Sequence, residues 1–187
     1  MKNDLFTGEL VRLVVEDPQK IAEEISHWSR DSEYWRLEDA DPARALSAKA
    51  VKEWIEKEME EHQLDVFMFH IRTVDGDHLI GGVELDEVRW SHGETFVGIG
   101  IGDREYWGKG YGTEAMRLVL RFAFMELNMQ RVSLNVFAYN PRAIRSYEKI
   151  GFVHEGRQRG VLRRDGQRYD LLFMGILREE WLARNPA

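Results

Sequence analysis

Cysteine is absent from all 187 residues, which excludes a disulfide framework, a thiolate metal site and a cysteine nucleophile. Proline is scarce, with four dispersed residues, and there is no low-complexity tract or repeat of 20 to 50 residues. Nothing therefore marks a linker, and a single domain over residues 1–187 is expected. No apolar run approaches the roughly 18 residues of a membrane helix. The N-terminal MKNDLFTGEL lacks a charged region followed by an apolar stretch, so no secretory signal or membrane association is read and a cytoplasmic location is expected. An excess of positive charge is missing too: 26 Lys+Arg face 33 Asp+Glu, for a net charge of −7. That balance argues against nucleic acid as a partner and favours neutral or cationic small molecules.

What is present includes a 43% hydrophobic fraction, enough for a real core at this length. Charge is uneven, since residues 16–65 carry 15 acidic side chains against 7 basic ones. The same third has helical periodicity, with Ile21, Ile25 and Trp28 on one stripe and Val51, Trp54, Ile55 and Met59 on another. Helices are expected near residues 18–30 and 44–62, joined by DSEYWRLEDADP as a loop or short irregular helix. From Asp65 the pattern becomes strands: DVFMFHIRT, LIGGVELDEVRW and ETFVGIGIGD, separated by turn formers, read as an antiparallel meander. A long amphipathic helix follows, with Met116, Val119, Leu120, Ala123 and Leu127 on its apolar stripe. Then come the strand RVSLNVF, a short helix capped by Asn140-Pro141 and closed by Gly151, and a hairpin around Asp165-Gly166.

Two stretches carry chemistry. Gly98, Gly100 and Gly102 share one face of a strand, because side chains alternate with period 2. A face without side chains marks either tight packing of a neighbouring element or close approach of a ligand. The loop Trp107-Gly108-Lys109-Gly110-Tyr111-Gly112 then opens directly onto the long helix. Free N–H groups and the positive dipole end at such a helix start suit a phosphate or pyrophosphate, and Lys109 adds a cation. A Walker loop needs Ser or Thr after its Lys, but Gly110 follows Lys109 here; the dinucleotide GxGxxG spacing also fails. The second stretch is NPRAIRSYEK, where Asn140, Ala143 and Tyr147 fall on one helical face. Taken singly, Asn140 reads as a helix cap and Tyr147 as a packed aromatic.

In combination and order, GIGIGDREYWGKGYGTEA and NPRAIRSYEKIGF resemble the GNAT superfamily of acyl-CoA N-acyltransferases. The tail EGRQRGVLRRDGQRYDLLFMGIL is similar to the branch of ribosomal-protein N-terminal and spermidine acetyltransferases. The resemblance implies a single α/β (α+β) domain: a mixed, mostly antiparallel sheet of about seven strands, flanked by helices, with a V-shaped split between two central parallel strands. It implies acetyl-CoA as cosubstrate in that split, with Gly100, Ile101 and Gly102 offering backbone groups to the pantetheine and thioester. Residues 107–112 would wrap the pyrophosphate, Asn140 and Ala143 would meet the pantetheine arm, and Arg142, Arg145 and Lys149 would reach the nucleotide phosphates. The loop often begins with Gln or Arg in that family, where this chain has Trp107.

The implied activity is transfer of an acetyl group to a primary amine of a polyamine, another small cation or a protein N-terminus. Direct attack in a ternary complex is expected, since no Cys carries an acyl group and no Ser shows a local triad signature. A strand-edge N–H near Ile101 or Gly102 would stabilise the oxyanion, and Tyr147 would protonate the leaving thiolate. Glu84, in the apolar run LIGGVEL, is the first candidate base. Glu33, Glu38 and Asp39 are weaker candidates for that base and are read chiefly as attracting or positioning a cationic acceptor, with Tyr34 and Trp35 as an aromatic wall. The six histidines form no ligand spacing, so no metal is expected. The alternative is a non-catalytic CoA-binding regulatory module, and the final hairpin leaves a homodimer open.

Overall fold

The computed structural model describes residues 4–61 and 66–186. Seven strands form one sheet in the order β1-β2-β3-β4-β5-β7-β6. These are β1 (Val11–Val14), β2 (Phe67–Thr73), β3 (Leu79–Arg89), β4 (Glu94–Ile101), β5 (Arg131–Phe137), β6 (Val153–Arg164) and β7 (Gln167–Leu177). The helices are α1 (Pro18–Trp28), α2 (Ser32–Glu38), α3 (Ala48–Glu61), α4 (Tyr111–Met125), α5 (Pro141–Ile150) and α6 (Arg178–Arg184). The expected meander, long helix, strand, capped helix and hairpin are all there. β1 and α6 are additions that sequence patterning did not mark. The Met59 side chain, His62 and the Asp65 start of the strand run lie outside the described residues.

All pairings are antiparallel except β4 with β5. That parallel ladder runs only from Glu94–Arg131 to Phe96–Ser133, while both strands continue, to Ile101 and Phe137. The sheet is therefore split in its middle, as the family resemblance implies. The core lies on one face, where α4 buries Ala115, Met116, Val119, Leu120, Ala123 and Phe124 against the strands. Each large side chain so buried stabilises the fold by roughly 1.5–3 kcal/mol. A smaller cluster of Ile21, Trp28, Val51, Ile55 and Leu79 ties α1 and α3 to the sheet.

The segment expected as a loop or irregular helix contains a regular two-turn helix, α2. Asp31 starts it by accepting hydrogen bonds from the Glu33 and Tyr34 amides through Oδ1. Its far end is held by distant elements. The tip of the β6–β7 hairpin reaches over so that Asp165 pairs with Arg36. Arg164 Nη2 donates to the carbonyls of Asp39, Ala40 and Asp41 at 2.9, 2.8 and 3.1 Å.

Candidate active site

The split between β4 and β5 opens a cleft of about 640 Å³. A second cleft, of about 500 Å³, lies between β4 and the α1–α3 layer. They meet over β4, where Tyr34, Glu38, Glu84, Gly98, Ile99 and Gly100 line both. The glycine face of β4 makes that junction. A Cβ on Gly100 would lie 2.6 Å from the Glu38 carboxylate oxygens, and one on Gly98 would lie 3.0 Å from Glu84 Oε1. A Cβ on Gly102 would collide with the Trp28 ring at 2.1 Å. The bare stripe thus admits packed side chains, an aromatic at Gly102 and two carboxyl groups at Gly98 and Gly100.

On the first cleft's side, Gly108 and Gly110 adopt φ of +72° and +99°, the left-handed region that glycine tolerates at no steric cost. Gly110 starts α4 without a side-chain cap, which leaves first-turn amides for an anion. Gly108, Gly110 and Gly112 line the cleft together with Gly100, Ile101, Asn140, Arg142, Ala143, Arg145, Tyr147 and Lys149. Trp107 lines it too, donating from Nε1 to the Ile101 carbonyl at 2.6 Å while the Arg142 guanidinium stacks 3.6 Å over its ring. Stacking occupies the face of a guanidinium and leaves its edge donors for a phosphate. Asn140 is buried and caps α5 by accepting from the Ala143 amide at 3.1 Å. Gly102, Lys109 and Tyr111 do not line this cleft; Tyr111 packs edge-on against Tyr106. Gly102 also gives its amide to the Ile80 carbonyl at 2.9 Å. Amides along a strand point alternately to opposite edges, so the Ile101 N–H, unlike that of Gly102, faces the split.

Among the residues expected at the acceptor, Tyr34 and Glu38 line both clefts and Trp35 and Asp39 line the second. Glu33 lies outside both, its carboxylate 2.7 Å from Arg104. Trp54, expected on a core stripe, is 48% exposed and forms a wall of the second cleft. Its helical spacing was visible, but periodicity does not separate a core position from a cleft wall. Asp41 and His70 line the second cleft as well, and neither their placement nor the Arg164 contacts follow from local sequence, because the neighbours concerned are distant in it. Asp86 follows Glu84 on the same face of β3 and lines the first cleft.

The electrostatics converge on Glu38. Glu38 is exposed to the clefts, while its carboxyl lies over the Gly100 backbone; the hydration lost there, with the charges of Glu84 and Asp39, pushes it up to about 7. Burial, then Glu38 and Glu84, raise the Tyr34 phenol well above its ordinary value. Burial and Glu38 likewise raise Tyr147, with Arg142 opposing them.

A model of the acetyltransferase (GNAT) domain matches residues 10–153. The SPbeta prophage-derived uncharacterized N-acetyltransferase YokL of Bacillus subtilis is 33% identical over 94% of each chain. The spermidine N(1)-acetyltransferase of Vibrio cholerae is 34% identical over 58% of this chain and 62% of its own. The crystal structure of spermidine N-acetyltransferase from that organism, in complex with CoA and spermine, superposes with a TM-score of 0.79. It has 25% identity and covers 94% of this chain and 99% of the other. The parallel pair that parts after three residue pairs, the glycine loop leading into α4 and these matches over most of the sequence agree: the chain belongs to the GNAT family of acetyltransferases.

Proposed function

We propose that the protein transfers the acetyl group of acetyl-CoA to the primary amine of a small cation, with polyamines the favoured class. The observation that carries this reading is the meeting of the two clefts at Glu38 and Glu84, next to Tyr147. A cosubstrate in one cleft and an amine in the other would touch there and nowhere else. The first cleft fits CoA: left-handed glycines and the uncapped start of α4 suit the pyrophosphate. Arg142, held flat on Trp107, offers its edge to phosphate oxygens, with Arg145 and Lys149 further along the same helix. Asn140 would bond the pantetheine arm.

For the chemistry, the Ile101 amide, facing the split, donates to the negative charge that develops on the thioester oxygen. Tyr147 donates to the departing sulfur. Proton removal from the ammonium falls to the carboxyl groups at the junction, of which Glu84 is the strand-borne member. Glu38, Glu84 and Asp86 form a file of acids, and Asp39 and Asp41 add charge along the second cleft. Tyr34, Trp35 and Trp54 supply aromatic walls, a combination suited to an extended cation. The spermidine acetyltransferase likeness supports the same class, whereas a protein N-terminus is the competing acceptor.

Thiol release from acetyl-CoA with spermidine, spermine, an aminoglycoside, amino acids and short peptides tests the proposal. Turnover with the polyamines is expected. Turnover restricted to peptides would replace the acceptor class. Thermal stabilisation by CoA without thiol release from any amine would favour a binding module instead.

A further inference from the structure

We infer that Glu38 is a second catalytic carboxyl: seated on the glycine face of β4 where the clefts meet, it removes the proton of the incoming ammonium, with Glu84 as its charged neighbour. This rests on the acetyl-transfer reading above and assigns one of its steps.

The geometry comes first. Gly98 and Gly100 are two residues apart on one face of β4, about 7 Å along the strand. Glu84 sits over the first and Glu38 over the second. An ammonium entering from the second cleft therefore meets both carboxyl groups before it reaches the split, where the Ile101 amide and Tyr147 lie. Glu38 is also held in place. It is the last residue of α2, and the next three carbonyls are gathered by Arg164.

The charged and titratable groups around Glu38 come from several elements. Tyr34 precedes it on α2, Asp39 follows it, Glu84 faces it from β3 and Tyr147 from α5. Arg164 of β6 binds the backbone beyond it. Loss of hydration, then the charges of Glu84 and Asp39, bring the Glu38 carboxyl near neutrality, where a general base is most effective.

The step balances as follows. An ammonium N–H bond breaks and its proton moves to the Glu38 carboxylate, leaving a neutral amine. The nitrogen lone pair forms the N–C bond, and the C–S bond breaks. The sulfur takes the Tyr147 proton, and the second proton lost from nitrogen restores the phenol. Glu38 releases its proton to solvent through the cleft.

The test compares the wild type with Glu38→Gln in kcat and KM for the amine between pH 5.5 and 9.5. Glu38→Gln is expected to lose about 100-fold in kcat near pH 7, with the KM for acetyl-CoA within twofold. Its rate should then climb with pH toward the acceptor's own ionisation, because free amine must come from solution. An unchanged kcat with only a raised amine KM, or an unchanged acid limb, would overturn the assignment and leave Glu38 as an attracting charge.

Infrared difference spectra read the proton without turnover. A protonated-carboxyl band that titrates near neutrality in the wild type should be missing from Glu38→Gln. Turnover in the wild type without that band would overturn the role of Glu38. The band without turnover on any amine would remove the acetyl-transfer reading while leaving a proton-holding Glu38.

Discussion

Loss of hydration and the Glu38 charge raise the Tyr147 phenol above its ordinary value, while Arg142 pulls the other way. The sequence offered only a tyrosine of ordinary acidity in an amphipathic helix. Its surroundings make it a weaker acid, and in the proposed reaction it would hydrogen-bond the sulfur as negative charge gathers there and yield the proton late. Tyr147→Phe should lower kcat by about 100-fold while CoA affinity, measured by calorimetry, stays within twofold. An undiminished kcat would move the donor role elsewhere. Trp107 shows the opposite relation between sequence and site. It stands where the family loop often has Gln or Arg, and the indole places a cation there by stacking Arg142 while it donates to the Ile101 carbonyl.

Elements with a long, regular pattern were legible in the sequence. The stripe from Met116 to Ala123 lies in α4, which ends at Met125, before Leu127; Asn140-Pro141 and Gly151 bound α5, and Asp165-Gly166 turn the last hairpin. Helix α2 was less legible because half of what defines it is remote. Asp31 caps it locally, whereas Arg164 and Asp165 fasten its end from more than 120 residues away. Composition could mark Glu38 as acidic and near aromatics, but its place over Gly100 is tertiary, at the end of a helix held by these remote contacts. In the proposed reaction the β6–β7 hairpin would therefore position the side on which the amine enters. Arg164→Met keeps most of the stem and removes the guanidinium. It should reduce kcat/KM for the amine by about 10- to 100-fold, in the range that small misplacements of reacting groups cause. Binding of CoA should remain unchanged, since Arg164 lies outside the first cleft. Equal loss of amine turnover and CoA affinity would show a general disturbance of the fold instead.

At the scale of the whole molecule, the two kinds of carboxylate in the α2 region work against each other. Asp31 is held below its ordinary value of 3.8, first by its hydrogen bonds with Arg104. Such a group contributes stability above that ordinary value and loses it as pH falls through the folded one. Glu38 is the reverse case, raised from 4.5 to about 7. The folded state binds its proton more tightly than the unfolded state does. Folding is therefore penalised as pH rises from about 4.5, and the penalty is complete above about 7. In the proposed reaction, a carboxyl that is harder to ionise than its unfolded counterpart is poised to take a proton near neutrality. Glu38→Gln has no charge to gain. Its melting temperature should match that of the wild type near pH 4.5, exceed it increasingly through neutrality, and hold a constant excess above pH 8. A difference that does not vary with pH would mean that the wild-type carboxyl ionises as it does in the unfolded chain, and that the junction imposes no cost on its charge.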